Sequence, residues 1–141
     1  MRRRWLLAFF GVALVIGVVL LPPAPTVFAG TNGQQLYFQL APQSSAIGIS
    51  WIRVNGNVIY SQSQPPVRVT FYKEFNPLVK EYRLYNWWWR DQAFVEYSVK
   101  YANGGGNYNW CFLDVPKNQT SNWVTVRLDL RRTTPGCEQV R

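Results

Sequence analysis

The sequence predicts an all-β protein: a single antiparallel β-sandwich, jelly-roll or Ig-like, of about 7–8 strands, preceded by an N-terminal hydrophobic signal or anchor helix. Three observations predict it. Apolar and polar residues alternate with a period of two along most of the chain, the pattern of strands with one buried face. No stretch of about a dozen residues keeps an apolar stripe at helical spacing. Turn-forming residues recur roughly every 8–12 positions, as they do in sandwiches and barrels.

The N-terminus has a different character. Arg2, Arg3 and Arg4 precede 17 uncharged, mostly apolar residues from Trp5 to Leu21, followed by a Pro-rich stretch and Val27-Phe28-Ala29. A basic start, an apolar middle and small or branched residues before Gly30 predict a signal peptide over residues 1–29, cleaved after Ala29. The alternative is an uncleaved anchor through residues 5–21, close to the shortest apolar run that spans a bilayer. The protein is then attached to a membrane only if this segment stays on. Both readings put residues 30–141 outside the cytoplasm, secreted or extracytoplasmic.

Strands follow in order. Leu36, Phe38 and Leu40 alternate with polar residues. Ile47, Ile49 and Trp51 do the same, and the run continues to Val54. Asn55-Gly56 between two β-branched runs predicts a hairpin turn, pairing Val54 with Asn57, Ile52 with Ile59 and Trp51 with Tyr60. Pro65-Pro66 interrupts the sheet, after which Val67, Val69 and Phe71 alternate with Arg68, Thr70 and Tyr72. The stretch from Lys73 to Asp91 is the least regular, and Leu78 to Tyr85 suits a strand or a short helix, with strand favoured. Val95, Tyr97, Val99 and Tyr101 share one face of a strand, with Glu96, Ser98 and Lys100 on the other. Residues 102–107 form a turn, Tyr108 to Leu113 a return strand, and Pro116 to Asn122 another turn. In the closing strand, Trp123 to Leu130, Val124, Val126, Leu128 and Leu130 point inward while Thr125, Arg127 and Asp129 point outward.

Composition narrows the chemistry. The chain has no His, which removes imidazole bases, Ser-His-Asp and Cys-His nucleophiles and His-ligated metals. Seven acidic residues are scattered over loops, tail and polar strand faces with no pairing suited to glycoside hydrolysis. Gly104-Gly105-Gly106 joins two strands and lacks the Lys and helix of a phosphate loop. No catalytic residue, cofactor or metal is expected. Cys111 and Cys137, the only cysteines, predict one structural disulfide in an oxidising compartment. Asn118-Gln119-Thr120 fits an N-glycosylation sequon.

Function is expected at the aromatics. The net charge is +8 for the chain; with residues 1–29 removed, 12 basic and 7 acidic residues remain. A positive surface outside the cell suits a polysaccharide or an anionic envelope polymer, and export sets nucleic acid aside. Trp87-Trp88-Trp89 cannot all be buried on one strand face: either Trp87 and Trp89 pack in the core with Trp88 half exposed, or the reverse, or the triplet is an exposed aromatic platform, with Asn86 and Arg90 flanking it as polar groups. Asn107-Tyr108-Asn109-Trp110 alternates amide and aromatic, with Tyr108 and Trp110 on one face. These nine residues form the expected ligand-binding set of a non-catalytic glycan- or polymer-binding domain. The alternative is a structural or interaction subunit of the cell surface, whose aromatic patch meets another protein.

Overall fold

A computed structural model describes residues 33–60, 65–115, 121–130 and 135–140. The N-terminal signal or anchor segment, the sequon, and the stretch 131–134 of the tail lie outside the described residues. Those that are described form seven strands and no helix: β1 (Gln34–Leu40), β2 (Ala46–Val58), β3 (Val67–Val79), β4 (Glu81–Tyr101), β5 (Gly106–Val115), β6 (Trp123–Leu128) and β7 (Cys137–Val140). The all-β expectation holds. The strands belong to one continuous seven-stranded sheet, ordered β3-β2-β4-β1-β6-β7, with β5 also paired to β4. The pairing is not uniformly antiparallel either, since β1 and β6 run parallel.

The organising element is β4, at 21 residues the longest strand. Its first half, Glu81 to Trp89, pairs with β1, and its second half, Asp91 to Lys100, pairs with β5. Between them Trp89 is in register with both Gln34 of β1 and Val58 of β2. Asn86 and Asp91, at φ 64° and 60°, bracket this junction; Asn and Asp are the residue types that best tolerate such a conformation. Asn86 resets the strand's alternation, whereas at Asp91 the register slip takes in two residues and the parity is kept. Leu84 points inward before Asn86, Trp87 and Trp89 after it, and Ala93, Val95, Tyr97 and Val99 beyond Asp91. The segment that looked least regular in sequence is therefore strand, its alternation broken at Asn86.

The Asn55-Gly56 hairpin is overturned. β2 runs straight through the pair, with Asn55 beside Thr70 of β3 and Phe94 of β4, and Gly56 beside Val69 and Ala93. A Cβ on Gly56 would come within 3.2 Å of the Gln92 carbonyl and the Trp89 ring. Close approach to the Trp89 indole, not a tight turn, is what requires glycine there. A register shift between Ile49 and Trp51 acts in the same way upstream. It leaves Ile49 and Ile52 buried and turns Trp51 to the opposite face from Ile49, with which strict alternation groups it.

Leu36, Phe38, Ile49, Ile52, Val54, Leu84, Trp89, Val95, Tyr97, Val99, Leu113, Val126 and Leu128 form the fully buried core. The first half of β4 packs on β3 through aromatic contacts: Phe75–Tyr82 at 4.9 Å, Phe71–Trp87 at 5.5 Å and Phe71–Tyr82 at 6.3 Å between ring centroids. Residues 102–105 turn as expected, with the Tyr101 N–H donating to the Gly105 carbonyl.

The end of the chain departs from expectation. β6 stops at Leu128, and Asp129, at φ 62°, is buried rather than outward. Its carboxylate accepts hydrogen bonds from the Ser44 and Tyr101 hydroxyls. The Tyr97 hydroxyl accepts from the Asp129 N–H and donates to the Gly136 carbonyl. β7 follows, a strand too short to show as a pattern, and the Cys111–Cys137 disulfide ties it to β5 with Cα atoms 5.8 Å apart.

Candidate functional site

The same alternation that buries one face of β2–β5 loads the other with rings. On that outer face stand Trp51 and Arg53 of β2, Thr70, Tyr72 and Glu74 of β3, Phe94, Glu96 and Ser98 of β4, and Tyr108, Trp110, Phe112 and Asp114 of β5. Their cross-strand registers, Arg53 opposite Tyr72 and Glu96, Trp110 opposite Glu96, and Phe112 opposite Phe94, bring side chains of one face together.

Six rings make two adjoining groups. Phe94, Trp110 and Phe112 lie with centroids 5.0–5.8 Å apart. Trp51 lies 5.8 Å from Tyr108 and 6.1 Å from Tyr72, with the Arg53 guanidinium 5.8 Å from the Trp51 ring and 5.7 Å from the Tyr72 ring. Phe112 is 57%, Tyr108 53%, Tyr72 48% and Trp110 37% exposed, so the rings meet solvent as a patch instead of singly. The hydroxyl of Tyr108 donates to Glu96 at 2.7 Å and that of Tyr72 to Glu74 at 2.6 Å. Those hydrogen bonds to carboxylates raise both phenol pKa values above the ordinary 10.0. Arg53 pairs with Glu96 at 3.2 Å. Both tyrosines on this face are thus held as neutral donors with fixed ring orientation.

At the Phe94–Phe112 end the face deepens into a hollow of about 230 Å³, lined by Asn55, Gly56, Asn57, Arg68, Asp91, Gln92 and the two rings. A larger depression of about 380 Å³ sits between the β1–β2 turn and Lys80-Glu81, and no aromatic ring lines it.

The nine residues singled out in the sequence separate. Tyr108 and Trp110 share the outer face as expected. The tryptophan triplet does not form a platform: Trp89 is wholly buried, and Trp87 stacks on it at 5.9 Å on the core side. Trp88 is half-buried, and its carbonyl accepts the Ile59 N–H at 2.8 Å. Asn86 is exposed, its backbone N–H donating to Gln35 Oε1, and Arg90 lies beside Asp91 at 3.7 Å. Asn107 and Asn109 share the inward face of β5, where Asn109 is buried with its side-chain oxygen accepting the Trp110 N–H. They are on the wrong side to serve a ligand stacked on Trp110. Trp51, Tyr72, Phe94 and Phe112 were missed. A usable signal existed for two of them: Tyr72 shares parity with Arg68 and Thr70, and Phe112 with Tyr108 and Trp110, which marks aromatics on polar faces.

Comparison with family models, curated proteins and solved structures gives no match to this chain.

Proposed function

We propose that the protein is an exported, non-catalytic binding domain that recognises a glycan of the extracellular or envelope environment through the outer face of β2–β5. Six aromatic rings gathered on one solvent-facing sheet surface, with hydrogen-bonding side chains between them, carry this reading. Sugar rings present C–H faces that stack on indole and phenyl groups, while hydroxyls seek amides, carboxylates and guanidinium groups. Export is supported by the Arg2–Arg4 and Trp5–Leu21 pattern and by a disulfide that suits an oxidising compartment. In the same reading the sheet doubles over at β4 as a jelly-roll or Ig-like sandwich. The aromatic packing of β3 on the first half of β4 and the β5–β7 disulfide support that arrangement.

A glycan array probed with wild type, Trp110→Ala and Trp88→Ala tests the assignment. Stacking on one ring is worth about 0.5–1.5 kcal/mol, so Trp110→Ala should weaken binding about two- to tenfold, while Trp88→Ala leaves it unchanged. Absence of any sugar signal, together with self-association that Trp110→Ala abolishes, would assign the face to a protein partner instead.

A further inference from the structure

The aromatic face is not uniform, and its two ends differ in chemistry. Toward Trp51, Tyr72 and Tyr108 the rings share their surface with Arg53, Glu74 and Glu96, which satisfy one another and the phenols. Toward Phe94 and Phe112 the surface sinks into the hollow, whose polar groups are of another kind: the carboxamides of Asn55, Asn57 and Gln92, with Arg68 and Asp91. Backbone irregularity builds it. The β2–β4 register slips between Gly56 and Asn57, and Asp91 sits at φ 60°, which displaces Asp91 and Gln92 from a flat sheet position. Asn55 Oδ1 accepts the Thr70 hydroxyl, which orients that amide and leaves its NH₂ as a donor.

Charge decides what kind of ligand this suits. Arg53, Arg68 and Lys100 on the outer face of β2–β5 are matched by Glu74, Glu96 and Asp114. Although the chain as a whole is basic, the described residues of this face carry no surplus. In the hollow itself the Arg68 guanidinium is offset by the Asp91 carboxylate, so its wall has no net charge to hold an anion, and amides offering both donors and acceptors fit neighbouring hydroxyls. At about 230 Å³, and about 30 Å³ per liquid water, the hollow has room for one pyranose ring.

We infer that the hollow is a specificity subsite for the terminal, uncharged pyranose of a neutral glycan, with the following sugar units stacked on Phe112 and Trp110. The inference rests on the glycan reading of the aromatic face and deepens it. Phe94 contributes to both parts: its ring walls the hollow and lies 5.0 Å from Phe112 and 5.8 Å from Trp110, so a chain leaving the hollow passes directly onto the rings.

The experiment is calorimetric titration of the full-length protein with neutral gluco-, manno- and xylo-oligosaccharides of two to six units. The same oligosaccharides oxidised to a uronic acid at the non-reducing terminal unit, or capped there by O-methylation, form the second arm. Wild type should bind a neutral oligosaccharide and lose about tenfold or more in affinity when its terminal unit is oxidised or capped. Asn57→Ala and Gln92→Ala, whose side chains line the surface hollow, should each lose a similar factor with unchanged melting temperature. Trp110→Ala should weaken binding of all chain lengths above the terminal unit. If capped and oxidised ligands bind as well as the parent, or if Asn57→Ala and Gln92→Ala bind as wild type while Trp110→Ala does not, the subsite is overturned and the aromatic-face reading survives. If wild type binds none of the oligosaccharides, both fall together.

Discussion

The Tyr97 phenol of β4 helps to hold the chain's end in place. It accepts the Asp129 N–H and donates to the Gly136 carbonyl, bridging the two ends of the β6–β7 connection. Removing the oxygen takes one partner from each of these groups and leaves them their mutual bond, Asp129 N–H to the Gly136 carbonyl at 3.1 Å, at about 0.5–1.5 kcal/mol; Tyr97→Phe should lower the denaturation midpoint accordingly. Burial pushes the phenol pKa well above its ordinary 10.0. Below pH 10 the group is protonated in both folded and unfolded chains, and its contribution is complete. Above pH 10 the unfolded chain ionises first, so stability falls as pH rises toward the folded value. Chemical denaturation between pH 8 and 11 should show a shallower alkaline decline for Tyr97→Phe than for wild type, and equal slopes would remove Tyr97 from this role. The inward orientation of Tyr97 was legible in the sequence, from its alternation with Glu96 and Ser98. Its hydrogen bonds were not, because they reach residues 32 and 39 positions away.

Among the elements, β4 and β7 mark where local patterns stop informing. The phase of β4 carries from Val95 back past Asp91 to Trp89 and Trp87, which face inward as that parity requires, but it does not carry on to Leu84, because Asn86 at positive φ shifts the alternation. An alternation rule has no term for such a residue; of the two readings of the tryptophan triplet, core packing of Trp87 and Trp89 with Trp88 half-buried is observed and the exposed platform is not. In β2 the Asn-Gly signal was sound local chemistry overridden by tertiary contact with Trp89. β7 has four residues and is defined by the disulfide more than by its pairing. With 26 residues separating Cys111 and Cys137, the closed loop is worth about 3 kcal/mol in the chain-entropy model. The Cys111→Ser/Cys137→Ser double variant should lose about that much, read as a drop in the urea midpoint, and its tail should become the first site of tryptic cleavage. A double variant as stable as wild type would contradict the staple. Gly136 is the other constraint on this element: a Cβ there would collide with the buried Asn109 side chain. Gly136→Ala should cost about 1–3 kcal/mol by overpacking while the disulfide still forms, measurable by melting and by free-thiol titration.

For the whole molecule, the sequence's basic surplus and its aromatic face are separate properties. The net charge pointed toward an anionic polymer, and nothing in composition shows that the rings sit on strands whose Arg53, Arg68 and Lys100 are balanced by Glu74, Glu96 and Asp114. That balance depends on which strands are neighbours, and those neighbours are set by the path of β4. The positive surplus comes from Arg2, Arg3, Arg4, Lys117, Arg131, Arg132 and Arg141, which lie outside the described residues, since the described residues carry eight basic against seven acidic side chains; the attraction of such charge to polyanions is long-ranged and screened by salt. Stacking on Trp110 is short-ranged and insensitive to salt. The two behaviours should therefore come apart in one pair of measurements. Retention on a sulfonate cation-exchange column should fall steeply with sodium chloride and be the same for wild type and Trp110→Ala. Binding of a neutral oligosaccharide should vary little over the same salt range and depend on Trp110. Coincident loss of both in Trp110→Ala would mean that charge and rings act as one surface, and the ligand would then be anionic.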